Sequence, residues 1–184
     1  MAEVSKYFAA LKYIIPSDME YFLEESSAEG LKLLDLGQSS VFAMRFAESK
    51  PEKVKYAVDC SGLSKSLYMQ TILDKGWEYM GTSLNCYVWR KVYEGSERPE
   101  DFTDKRAIAG HCLKQGIVFA VVAVILLVLY TLMIIELVAE FKMGKTEHIP
   151  MYCIAMTAQL PLLLYSVWAS VKLIKYAVPR MKDK

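Results

Sequence analysis

Nineteen consecutive residues, Ile117 to Ile135 (IVFAVVAVILLVLYTLMII), carry neither a charge nor a proline. As a helix this run would reach about 28 Å at 1.5 Å per residue, close to the hydrocarbon thickness of a bilayer. Burying it on every side would take a large surrounding domain, for which a chain of 184 residues has no room. A second apolar stretch, Ile149 to Val171, contains Gln159 and Pro161 but no charged side chain. Pro150 suits a first helical turn, whereas Pro161 is expected to free the Thr157 carbonyl and kink the helix. Tyr152 and Trp168 fit the two interfaces, and Lys172 and Lys175 can reach the headgroups. Residues 105–184 are therefore expected to form a membrane anchor with spans at 117–135 and 149–171, and membrane lipid is its partner.

Charge is segregated along the chain. Up to residue 105 there are 13 Lys and Arg against 17 Asp and Glu, and beyond it 9 against 4. An acidic head argues against a nucleic-acid surface, which needs clustered cations to displace counterions. Lys105, Arg106, Lys114, Lys172, Lys175, Arg180, Lys182 and Lys184 flank the spans, while the intervening segment 136–148 holds only Lys142 and Lys145. That imbalance predicts a multi-pass protein of the cell membrane with both termini cytoplasmic. Lys6 and Lys12 interrupt any apolar core of a cleaved signal.

Residues 1–93 read as a cytoplasmic α+β domain built from two copies of one unit, 6–46 and 54–92, with 94–104 (EGSERPEDFTD) as a polar linker. In the first copy Lys6–Tyr13 reads as a strand, and Ser17-Asp18-Met19-Glu20 as a capping box. Met19, Phe22, Leu23 and Ser26 fall on one helical face, with Glu20, Glu24 and Glu25 largely outside it. Gly30 stops that helix; strands follow at Leu31–Leu36 and Val41–Phe46, with a turn at Gly37-Gln38-Ser39. In the second copy Val54–Asp59 is a strand and Ser64–Lys75 a helix with Met69, Ile72 and Leu73 on one face. Gly76 ends it, and Trp77–Met80 and Cys86–Val92 complete the unit. The expected fold is an α+β head of tandem β-α-β-β units, a mostly antiparallel sheet with two helices on one face, followed by a C-terminal two-helix transmembrane hairpin. Phe102–Gln115 is expected to start a helix running into the first span.

Histidine supplies the main chemical exclusion: His111 and His148 are the only two, so residues 1–110 hold none. This removes Ser-His and Cys-His nucleophilic sites and histidine zinc sites from that segment. Cys60, Cys86, Cys112 and Cys153 form no CxxC, and a cytoplasmic head should keep its thiols reduced as small buried hydrophobes. Cys112, beside a span, is also open to palmitoylation. Gly144-Lys145-Thr146 lacks the glycine a phosphate loop needs five residues earlier, where Ala139 stands. Glu136, Glu140 and His148 read as a hydrated loop, Asp59 and Glu78 as ordinary surface, and Gln159 as a hydrogen-bonding group between helices. No catalytic, cofactor or metal residue is expected. Structural or interaction candidates are Gly30, Gly76, Trp77, Tyr79, Trp89, Tyr93, Phe102, Gln159 and Pro161.

Gly76-Trp77-Glu78-Tyr79 followed by Trp89-Arg90-Lys91 resembles a bacterial family of membrane proteins, the domain of unknown function 2812. Ala28-Glu29-Gly30-Leu31, Lys50-Pro51-Glu52 with Tyr56 after it, and Phe102-Thr103-Asp104 carry the same resemblance over roughly residues 5–105. The first helix departs from that pattern, reading Tyr21-Phe22-Leu23 where such proteins usually carry a Trp before the Leu; an aromatic core position is kept. The resemblance implies no activity or catalytic residues. Because such genes often neighbour PadR-type transcriptional regulators, it implies a signalling or regulatory role. The expected function is thus a non-enzymatic, membrane-tethered module that recruits or senses a protein partner, either a cytoplasmic regulator or a membrane complex, through exposed aromatics such as Tyr93 and Phe102. An accessory subunit of a transporter or other membrane complex, and a small-molecule sensor, are the alternatives. A homo-oligomer is left open.

Overall fold

The computed structural model describes residues 3–37, 41–61, 66–144 and 147–182, with residues 66 and 67 described by their backbone alone. The expected turn at Gln38-Ser39, the helix start at Ser64-Lys65, the Lys145-Thr146 pair and Lys184 lie outside the described residues. The chain divides into two compact units, Met1–His111 and Cys112–Lys184.

The first unit is α+β. Its elements are β1 (Glu3–Tyr7), α1 (Ala9–Lys12), α2 (Pro16–Ala28), β2 (Leu31–Leu33), β3 (Ala43–Glu48), β4 (Val54–Asp59), α3 (Ser66–Asp74), β5 (Glu78–Ser83) and β6 (Cys86–Val92). The strands are antiparallel, as expected, and divide into two sheets of order β1-β3-β2 and β4-β6-β5. Each half thus places its third strand between its first and second. The sheets touch through a parallel bridge between Leu36 and Gly81, where the Leu36 N–H donates to the Met80 carbonyl at 2.7 Å.

Local corrections have local causes. The strand expected over Lys6–Tyr13 ends at Tyr7, because Phe8 takes a left-handed φ of 56° and turns the chain into α1, which buries Ala9 and Ala10. The expected capping box does not form. Pro16 starts α2 with Ile15 before it, and no side chain caps the helix. Met19, Phe22, Leu23 and Ser26 are buried as the periodicity requires, whereas Leu73 of α3 is largely exposed. Gly30 follows α2 at φ +84°, and a Cβ there would sit 2.7 Å from the Ser49 carbonyl oxygen. Only glycine meets both conditions without distortion. In the second half Ala57, Ile72, Trp77 and Trp89 form the core, with Tyr68, Met69, Tyr87 and Phe102 packed against it.

Two apolar helices, each long enough to cross a membrane, complete the chain: α4 (Lys105–Lys142) and α5 (Ile149–Lys182). Within the second unit their contacts run in antiparallel order. Tyr152 donates to Glu136 at 3.0 Å, the Gln159 amide to the Leu126 carbonyl at 2.7 Å, and the Phe119 and Tyr165 rings meet edge to face at 6.0 Å. Near the other end, Gly116 leaves room for Leu173 and Ile174. A side-chain amide inside an apolar helix pair needs a partner, and the second lone pair of a carbonyl on the facing helix supplies one. Helix α5 runs through Pro161, and the Thr157 hydroxyl donates to the Cys153 carbonyl one turn earlier.

Candidate functional site

Trp77, Tyr79, Trp89 and Phe102, all singled out from the sequence, converge in space. Trp89 is fully buried on the central strand β6. Its ring lies 5.4 Å from Tyr79 and 6.3 Å from Phe102, and Phe102 meets Trp77 edge to face at 4.9 Å. Directly opposite residues of an antiparallel pair share a face, which puts Tyr79 beside Trp89. Phe102 comes from the segment after β6, which has no regular structure but is pinned to the head. Lys53 donates to the Gly95 carbonyl at 3.0 Å, and Arg98 donates to both oxygens of Glu24 at 2.7 and 3.0 Å. The expected exposure of Phe102 and Tyr93 is therefore corrected: both are half-buried, Phe102 because it covers the two indoles. Tyr93 stands apart, its N–H donating to Lys53, and Gly30, Gln159 and Pro161 lie elsewhere.

Over Trp77 and Phe102 runs an open groove of about 530 Å³, lined also by Lys75, Lys91, Pro99, Glu100 and Asp101. Gly76, left-handed at φ +78°, brings the chain from α3 into this groove, and Lys91 donates to the Lys75 carbonyl at 2.7 Å. The groove thus offers an aromatic floor with two lysines and two carboxylates around it.

A second cluster has no counterpart among the sequence-based expectations. Among the described residues, strand β4 pairs with β6 along one edge. On the other edge, the N–H groups of Tyr56 and Val58 donate to Glu24 and Glu20 of α2 at 3.2 and 2.8 Å. Glutamates four apart on a helix are about 6 Å apart, and alternate strand N–H groups about 6.7 Å apart, so the two spacings match. Glu20 and Glu24 therefore face β4 rather than solvent, correcting the amphipathic reading. Lys55 lies 3.4 Å from Glu24. Burial pushes the Glu20 carboxyl up to about 7, against the opposing pull of the Val58 N–H and Lys55.

The end of β4 also departs from expectation. Asp59 is 1% exposed rather than surface, and it accepts bonds from the Ser61 N–H and hydroxyl and from the Tyr68 hydroxyl at 2.9, 2.9 and 2.7 Å. Burial and the neighbouring Asp59 carboxylate raise Tyr68 to about 12. Glu78 is exposed, 3.8 Å from the buried Arg90. Cys60 and Cys86, expected to be separate thiols, are joined as a disulfide with a Cα separation of 4.4 Å. They continue the Asp59–Tyr87 register as a directly opposed pair, a proximity that a sequence separation of 26 does not reveal. A ring nitrogen of His111 lies within 4.8 Å of both sulfurs. His111 belongs to the first unit, so the head does possess a histidine.

These features define the class: a small α+β head followed by a hairpin of apolar helices long enough to span a membrane. The family model described as "Protein of unknown function (DUF2812)" matches residues 16–124, more than half of the chain, and the chain belongs to that family. No curated protein matches it, and no solved structure does.

Proposed function

We propose that this protein is a non-enzymatic binding and regulatory module whose hairpin holds it in the cell membrane and whose head recruits or senses a protein partner on the cytoplasmic side. The groove over Trp77 and Phe102 is the observation that carries this reading. Aromatic side chains supply contact area at low entropic cost, and rim charges of both signs set the orientation of what binds. A short extended peptide with an apolar anchor between charged residues fits that chemistry. The preponderance of basic residues flanking the apolar helices supports cytoplasmic termini. A small-molecule sensor is the second reading, because a groove of about 530 Å³ lies within the size range of ligand pockets.

Site-specific photo-crosslinking of the full-length protein in its host tests both. A crosslinker at Glu100 should yield a discrete protein adduct, lost on adding Lys75→Glu, whereas one at Glu48 on the first sheet should yield none. Equal adducts from both positions would sink the groove reading. Protein adducts only from apolar-helix positions such as Ile134 would favour an accessory subunit. No protein adduct, together with a thermal shift by a metabolite, would favour the sensor.

A further inference from the structure

We propose that Cys60, Cys86 and His111 form a redox-gated site for a thiophilic divalent cation, with zinc as the expected occupant. Two thiolates and an imidazole are the donor set that zinc prefers among common cellular cations. A tetrahedral zinc with bonds of about 2.0–2.3 Å spaces its ligands by roughly 3.5–3.8 Å, and the three donor atoms here lie within 4.8 Å of one another. The backbone already sets the thiols side by side, as a directly opposed pair at the ends of β4 and β6.

Two further observations point to a ligand. His111 Nε2 donates a hydrogen bond of 3.2 Å to the Leu84 carbonyl, which can only accept, and this bond orients the ring at the β5–β6 turn. A backbone carbonyl is a common device for orienting a metal-binding imidazole. Ser83 is paired with Cys86 across the β5–β6 hairpin and so shares its face; its hydroxyl is buried and has no hydrogen-bond partner among the described residues. A buried hydroxyl without a partner is costly. In the loaded site it donates to a thiolate or to the water that completes the zinc shell.

The disulfide is the closed state of this site. A disulfide persists in an oxidising compartment, whereas on the cytoplasmic side, where the proposed function places the head, a dithiol reductant keeps such pairs open. Reduction breaks the S–S bond and delivers two electrons and two protons to the pair, the reductant leaving as its own disulfide. The cation then binds both sulfurs and releases two protons. Loading fastens the first turns of α4, through His111, to the β4–β6 end of the head.

The test uses full-length protein in detergent, carrying Cys112→Ser and Cys153→Ser, with cobalt(II) as the spectroscopic probe and zinc as competitor. After reduction, one cobalt per chain should bind with a sulfur-to-metal charge-transfer band, and zinc should displace it. The disulfide form should show no band. Cys86→Ser should abolish the normal spectrum, and His111→Gln, which leaves both strands intact, should weaken binding at least about tenfold. Equal binding by the disulfide form, no binding after reduction, or full affinity in His111→Gln would each overturn the site. Lys75→Glu should leave the titration unchanged, so failure here is separable from failure of the groove, and a titration in vitro does not depend on membrane orientation.

Discussion

The two sheets of the head have one strand order and two different fates. The first, β1-β3-β2, is packed against α2, with Lys6 5.0 Å from the Phe22 ring and 5.5 Å from the Phe46 ring, and it leaves Tyr7, Phe8 and Phe42 exposed. The second, β4-β6-β5, holds the indole cluster, the groove, the buried Asp59 and the Cys60–Cys86–His111 cluster. The cause lies in the path of the chain beyond each sheet. After β3 it moves away to begin β4. After β6 it returns across its own sheet, delivering Phe102 to Trp77 and His111 to the Leu84 turn. A repeated topology is therefore only a scaffold; the covering segment supplies the chemistry.

The sharpest way to break this comparison is at the junction of the two sheets. Gly81 has a φ of +113°, and a Cβ there would run into the Leu36 carbonyl. Gly81→Ala should destabilise the head by about 3 kcal/mol or more, as read by urea titration of the indole fluorescence of Trp77 and Trp89 in a Trp168→Phe background. A loss under about 1 kcal/mol would mean that the sheets meet differently.

Next in size is the contrast between covering and uncovered aromatics. Phe102→Ala removes a ring packed on both indoles and should cost about 2 kcal/mol or more, whereas Phe42→Ala on the first sheet, where Phe42 is 64% exposed, should stay within about 0.5 kcal/mol. Equal costs in the same titration would contradict the covering role of residues 94–104.

The smallest effect is a pH dependence at the α2–β4 contact. Glu20 holds its proton to about 7 in the folded head against an ordinary value of 4.5. Folding takes up a proton between those values, so this contribution is complete below the lower one and is lost as pH rises through the upper. The expected loss is on the order of 2 kcal/mol after discounting for partial solvent access. Glu20→Gln keeps an acceptor for the Val58 N–H and should remove that slope. An identical pH profile in the variant would show that Glu20 does not carry it.

Much of this architecture is written in short-range pattern. Val54–Asp59 and Cys86–Val92 are strands over the expected residues, and Gly30 and Gly76 end α2 and α3 with left-handed backbones. Hydrophobic alternation and glycine report burial and backbone conformation directly, so these features are legible without a fold. Trp77, Tyr79, Trp89 and Phe102 stand out as aromatics of a small domain, and the structure gathers them. Nothing in the pattern marks Phe102 as a cover rather than an exposed contact. Glu20 is misplaced by its pattern for a related reason: a helical wheel scores a glutamate as solvent-facing, and only the β4 edge away from β6 gives it reason to face inward.

By itself, the sequence determined the apolar helices, the α+β alternation of the head and the bounds of β4 and β6, because each depends on neighbours within a turn or a strand. Tertiary structure alone decided that Leu36 meets Gly81, that Glu20 and Glu24 satisfy β4, and that Cys60, Cys86 and His111 share one corner. Those approaches join positions far apart in the chain. They are set by strand register and chain return, which no local window of residue types records.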